Sequence, residues 1–423
     1  MAVSQNDIRN IALIGHSGEG KTSLAEAILY NAGAIDRLGR TDDGNSTMDF
    51  DPEEIARKIS ISLSIANCTY KGKKINIIDV PGYFDFESEM LEALTVADAA
   101  IIVTGGSMTV GTEKALEYCG DNKIPCMIFI NGIDKENANF NTTVAAIKAK
   151  FPKVNSVIAP NMDGAKMIGY ANAVTGSYVD FAAKEVSSEI PANLKGEYDE
   201  VRAQVVEMAA EGDDELMMKF FEGEELTAEE VYGGFGTALL NGAAIPVIAG
   251  SATANKGIAG LLEMIVSTLP GPDKRPTIDA DGKAIPADPN AQVVLRVFKT
   301  IADPFVGRLS IFKVVSGTLK SGMTLKNENS DTEEKISTVY FMKGKKQETA
   351  DCAVAGDIAA LAKLSATSTG DVLCESGDVK LPPVELPRPV YSRAVYAAKK
   401  GDEDKVFGGL SKLKDEDIAF TVT

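Results

Sequence analysis

The residues with the clearest chemistry are Gly15-His16-Ser17-Gly18-Glu19-Gly20-Lys21-Thr22. In this spacing a Gly-rich loop points successive backbone N–H groups at phosphate oxygens, the lysine reaches the outer phosphates, and the threonine hydroxyl binds Mg²⁺. Asp79-Val80-Pro81-Gly82 follows. Its carboxylate can hold Mg²⁺, directly or through water, and its glycine N–H can meet a γ-phosphate with no side chain in the way. Next comes Asn131-Gly132-Ile133-Asp134. An Asp carboxylate accepts from guanine's ring N–H and exocyclic amine, a donor pair that adenine lacks. Gly250-Ser251-Ala252 is a small-residue turn whose N–H groups can touch a base. Taken singly the later elements are weak, since Asn131–Asp134 also reads as an Asx-turn. In this order, they point to a site for GTP or GDP with Mg²⁺.

Those residues need strand ends and a helix start to hold them. Ile11-Ala12-Leu13-Ile14 precedes the loop, and a stretch with helical spacing over 21–32 follows it. Helix N-termini carry partial positive charge that favours phosphate. Further strands are expected at 61–69, 74–80, 99–104 and 125–130, and helices at 86–97 and 111–121. Strands separated by helices predict a mostly parallel sheet covered on both faces, with ligand at its carboxyl edge. Residues 33–60 form a long polar connection, read either as a surface excursion or as a switch segment that orders around the γ-phosphate. The Asp79–Gly82 element behind it favours the switch.

The chain of 423 residues is long enough for several domains. It is 44% apolar and 25% charged, as soluble globular proteins are. A net charge of −18 argues against non-specific nucleic-acid binding by the whole surface, while leaving room for a local basic patch. Cys68, Cys119, Cys126, Cys352 and Cys374 are odd in number and widely spaced, so they read as reduced thiols of a cytoplasmic protein. The sequence shows no signal peptide and no run of 18 apolar residues, so neither export nor a membrane partner is expected.

Residues 155–243 exceed what one crossover needs and read as an insertion, helical over 193–240, with a capping box at Thr227-Ala228-Glu229-Glu230. Pro270-Gly271-Pro272 opens a linker, and beyond it short strands and Gly/Asn/Asp turns predict an antiparallel barrel. After Pro387-Arg388-Pro389, a strand over 390–398, a helix over 403–414 and the start of a strand at 419–422 are expected, which reads as part of a larger unit.

These elements in this order resemble the translational GTPases, most closely the elongation factor G group, along nearly the whole chain. Matching runs include Asn131-Gly132-Ile133-Asp134-Lys135 with Ala138-Asn139-Phe140, Gly250-Ser251-Ala252 with Asn255-Lys256-Gly257, Asp303-Pro304-Phe305-Val306-Gly307, and Ala355-Gly356-Asp357-Ile358. Gly15-His16-Ser17-Gly18 and Asp49-Phe50-Asp51-Pro52-Glu53-Glu54 look more like the divergent paralogs of that group. The resemblance implies an α/β P-loop GTPase domain at 1–275 with an inserted α+β subdomain at 155–243. An antiparallel β-barrel domain at 276–386 and the start of a ferredoxin-like domain at 387–423 would follow. It implies that Gly15 through Ser23 cradle the phosphates, that Thr22, Ser60 and Asp79 serve Mg²⁺, that Asp134 reads guanine with Asn131 bracing the base site, and that Ser251 and Ala252 touch the base. Lys21, Gly82 and residue 83 would carry hydrolysis. The implied partner is the ribosome, rRNA and ribosomal proteins alike, with no DNA, for a monomeric factor whose bound GTP changes the angle between GTPase domain and barrel. A ribosome-protection or nucleotide-regulated ribosome-binding module shares the architecture. Three positions depart from the group's pattern. Tyr83 stands where a water-positioning histidine is usual, Gly132 replaces a lysine whose stem packs over the base, and Gly18-Glu19 replaces Asp-Ala. His16, the sole histidine, is assigned to loop structure rather than catalysis.

Overall fold

A computed structural model describes residues 3–136, 138–183, 185–303 and 307–423. Residues 304–306 of the Asp303–Gly307 run lie outside the described residues. The chain divides into two compact units, one of residues 11–83 with 97–270, the other of residues up to 10 with 84–96 and 271–423.

The first unit is organised by a seven-stranded sheet. Its members are β1 (Ile8–Ile14), β2 (Ser64–Tyr70), β3 (Lys73–Asp79), β4 (Ala99–Thr104), β5 (Cys126–Ile130), β6 (Val154–Ser156) and β10 (Ile245–Ala249), in the order β2-β3-β1-β4-β5-β10-β6. The β1–β4, β4–β5, β5–β10 and β10–β6 pairs are parallel, while β2 and β3 form an antiparallel hairpin at one edge. β1, β4 and β5 are buried at every residue, which is why β4, β5 and the Ile11–Ile14 part of β1 read as apolar runs rather than alternating ones. Helices α1 (Lys21–Asn31), α4 (Val110–Asp121), α5 (Phe140–Lys150) and α9 (Ile258–Thr268) belong to the crossovers, and α2 (Pro52–Arg57) interrupts the long polar connection. α2 has a complete N-terminal signature: Asp51 accepts from Glu53 N, Glu54 reaches back to Asp51 N, and Pro52 occupies the first turn.

The insertion carries a three-stranded sheet, β7 (Ile158–Asp163), β8 (Lys166–Asn172) and β9 (Ser177–Asp180), the β part of the α+β subdomain that the resemblance implies. Helices α6 (Lys195–Glu211), α7 (Asp214–Glu222) and α8 (Ala228–Leu240) follow, the last with the expected capping box at Thr227 and Glu230.

In the second unit eight antiparallel strands between 294 and 374 wrap one apolar core that includes Leu295, Val297, Phe312, Val314, Leu325, Leu361 and Leu373. Helix α3 (Glu87–Leu94) groups with this unit. Lys299, almost wholly buried, pairs with Glu89 and lies 3.9 Å from Glu92, both on α3. Residues 390–398 and 419–422 form no strand, unlike the sequence expectation, because no neighbouring strand hydrogen-bonds to them and an extended segment needs a ladder partner. A helix does form at Glu403–Glu416. Four of the five cysteines are buried, Cys352 is half-buried, and all five are free thiols. Among the described residues no helix is long and apolar enough to cross a membrane.

Candidate functional site

The loop after β1 turns into α1 so that Ser17 through Ser23 line a cleft of about 490 Å³. Gly15 and His16 lie behind that wall and offer their carbonyl oxygens to Lys21 Nζ, at 3.1 and 2.8 Å. Lys21 is 6% exposed. Burial lowers its ammonium below the ordinary lysine range, and the charges of Asp79, Glu19 and Asp49 work the other way. Gly82 packs against this lysine so closely that a Cβ on it would sit 2.2 Å from Nζ and 2.7 Å from Ser17 N. Only a glycine fits that approach.

Below Lys21 two carboxylates and two hydroxyls meet. Thr22 Oγ1 and Ser60 Oγ lie 3.1 Å apart, and Ser60 donates to Asp49 Oδ1 at 2.8 Å. Asp79, at the end of β3, is 2% exposed, and its Oδ1 has no hydrogen-bond partner. Burial raises the Asp79 carboxyl well above the usual range, helped by the nearby charge of Asp49. A buried carboxylate oxygen with no donor, flanked by a second carboxylate and two hydroxyls, suits a hard cation that takes one or two carboxylates together with phosphate oxygens.

The 33–60 connection reaches this place because buried acids tie it down. Glu26 of α1 accepts from Ser46 Oγ, Thr47 N and Met48 N. Glu54 of α2 accepts from Ile61 N and Ser62 N, and burial pushes its carboxyl up to about 7. Ser60 is thereby held beside Thr22. Asp49, Glu26 and Glu54 were not among the sequence-predicted site residues. The Asp51-Pro52-Glu53-Glu54 capping signature was the available signal for the short helix that orders this segment. Tyr83 also lines the cleft and is 43% exposed.

At the opposite end Asn131 acts as a brace. Its Nδ2 donates to Glu19 O at 2.8 Å, its backbone N–H to Thr104 O, and its Oδ1 accepts from Ala252 N at 2.9 Å. One side chain thus connects the Gly-rich loop to the turn after β10. Ser251 and Ala252 are fully buried, and Ser251 Oγ accepts from Ala254 N. Thr253, next in the chain, lines the cleft instead. Ile133 N donates to Gly250 O, and Asp134 beyond it is exposed and is not among the residues that line the cleft. Expected residues therefore gather in two groups: Lys21, Thr22, Ser60 and Gly82 line the cleft with Asp79 buried beside them, and Asn131 lines it together with Thr253 of the 250–253 turn.

The family model described as "Elongation factor Tu GTP binding domain" matches residues 6–271, and "Elongation factor G domain 2" matches 292–376. An elongation factor G from Thermotoga petrophila is 35% identical over 437 aligned residues, which cover 99% of this chain and 62% of that protein. A crystal structure of a Thermus thermophilus protein superposes with a TM-score of 0.88 at 28% identity, covering 98% of this chain and 61% of that one. The chain spans about three-fifths of the length of the relatives it matches.

Proposed function

The chain belongs to the translational GTPase family, and from that premise we propose that it binds GTP and GDP with Mg²⁺, hydrolyses GTP, and acts on the ribosome in the cytoplasm. The observation that carries this reading is the convergence of Lys21, Thr22, Ser60, Asp49 and Asp79 at one end of a cleft whose other end is closed by Asn131 and the 250–253 turn. Thr22, Ser60, Asp79 and Asp49 would hold Mg²⁺, which when bound would offset phosphate charge. Lys21 and the backbone N–H groups of the Gly-rich loop would stabilise charge on the phosphoryl oxygens as water attacks the γ-phosphorus and the bond to the β-phosphate oxygen breaks. Gly82 would offer its N–H at the same phosphate. Asp134 would accept from guanine's two donors, with Asn131 holding the base end in register. Support for the domain division at 275 and 386 comes from the extents of the two family matches.

Tyr83 favours a second reading. A phenol lines the cleft where the family resemblance leads one to expect an imidazole, and a phenol does not become the cation that imidazole can. On that reading the chain is a nucleotide-regulated ribosome-binding or ribosome-protection module with little hydrolysis. Calorimetric titration with GDP and GTP in Mg²⁺ tests the common premise, and a chain that binds neither would sink both readings. Single-turnover GTP hydrolysis with intact ribosomes separates them. A large ribosome-stimulated rate supports the hydrolase, and the same rate in Tyr83→Phe removes the phenol hydroxyl from the mechanism.

A further inference from the structure

Gly132 has φ +74°, a conformation that glycine adopts without strain. The chain reverses there, with Lys135 N donating to Gly132 O at 3.1 Å. The reversal lays the Lys135 side chain back over the glycine. A Cβ on Gly132 would lie 3.2 Å from Lys135 Cε, 3.4 Å from Cδ and 3.5 Å from Nζ, so the lysine stem already occupies the space over the bare backbone. Gly132 and Lys135 both line the cleft, as does Glu19 of the Gly-rich loop. The Glu19 carboxyl is raised by burial, while donation from the Gly105 backbone and the charges of His16, Lys21 and Lys135 act against that rise. Glu19 is also the residue whose carbonyl oxygen receives Asn131 Nδ2. Residues 19, 131, 132 and 135 therefore form one small assembly between the phosphate loop and the base end.

We infer that Lys135 is a positioning residue for the purine. Its methylene stem, laid over the bare Gly132 backbone, forms a side wall of the base slot. The assignment rests on the guanine-nucleotide reading given above. A lysine stem covers apolar surface while its charged head stays in a polar place, and an ammonium near an aromatic face adds attraction. Gly132 is what makes this possible. A larger side chain there would take the space that the stem fills and would strain the turn that returns Lys135 to the cleft.

Stopped-flow dissociation of a fluorescent GDP analogue from the full chain, with Mg²⁺ present, tests the assignment. Lys135→Ala should speed dissociation about tenfold and Lys135→Met, which keeps the stem without the charge, about threefold. Competition by inorganic pyrophosphate should be equal in wild type and Lys135→Ala, since the wall acts on the base. Unchanged GDP dissociation in Lys135→Ala, or equal losses for pyrophosphate and GDP, would each overturn this assignment alone. A wild-type chain that binds no GDP would overturn the nucleotide reading and the assignment together.

Discussion

At the phosphate end of the cleft Lys21, Thr22, Asp49 and Asp79 are all buried, whereas at the base end Asp134 and Lys135 are exposed and the buried work is done by backbone groups and one asparagine. On the proposed reading the two ends would therefore hold a ligand by different physics. Buried charges interact strongly across a low local dielectric, and leaving one without its partner is expensive. Exposed carboxylates and lysines contribute less energy but discriminate, because a mismatched donor or acceptor on the ligand is left unpaired. The phosphate end should set how tightly any nucleotide is held, and the base end which nucleotide is held.

Lys21→Ala strikes the first half of that contrast hardest. It removes the ammonium that Asp79, Glu19 and Asp49 all face. GDP and GTP affinity should fall by about a thousandfold, consistent with truncating one member of a buried charge pair. Titration calorimetry checks the loss, with circular dichroism to verify the fold. Equal losses for guanine and inosine nucleotides would show that the effect belongs to phosphate alone.

Asp134→Asn addresses the second half. Guanine's two donors would lose one acceptor and meet an amide N–H₂ instead, so GDP affinity should drop about a hundredfold. Xanthosine diphosphate, which carries a carbonyl oxygen in place of the exocyclic amine, should gain. Competition between the two nucleotides reads the switch. If both weakened equally, the base end would be holding rather than selecting, and the contrast between the ends would fail.

Asp79 gives the contrast a pH dependence in the ligand-free chain. Burial raises its carboxyl above the ordinary range, so between about pH 4 and the raised value the folded chain keeps a proton that the unfolded chain has lost. That contribution to stability is fully present below the unfolded pKa and disappears as pH rises through the folded one. Urea midpoints without Mg²⁺ or nucleotide should fall across this span, and Asp79→Asn should flatten the fall and stabilise the ligand-free chain above it by about 1–2 kcal/mol.

The same difference explains what was legible in the sequence. Gly15–Thr22, Asp79–Gly82 and Asn131–Asp134 each sit directly after a buried strand, and local pattern places them at one sheet edge. Asp49 is different. It reaches Ser60 only because Glu26 and Glu54 bind the backbone of a long polar loop, and such tertiary anchoring leaves no periodic trace. Likewise β7 to β9 were expected only through the resemblance to an inserted α+β subdomain and not from local pattern, since short strands such as Lys166–Asn172, with Gly169 in its middle, lack a clean alternation. The helical reading of 403–414 held because a helix bonds within itself, while the strand expected over 390–398 depended on a neighbour that local sequence does not supply.

Ser60→Ala tests whether that anchored loop matters to the phosphate end in the way its geometry implies. The hydroxyl joins Thr22 to Asp49, and its removal costs Asp49 a hydrogen-bond donor while leaving Lys21 and Asp79 in place. GTP affinity in Mg²⁺ should fall about fivefold, the worth of one ordinary hydrogen bond. GDP affinity should change less, because on the proposed reading Ser60 acts at the outer phosphate. Ser60→Thr, which restores a hydroxyl, should recover most of the loss. If Ser60→Ala weakened GDP and GTP alike, the segment would be a structural strap on α1 rather than a part of the site that senses the γ-phosphate.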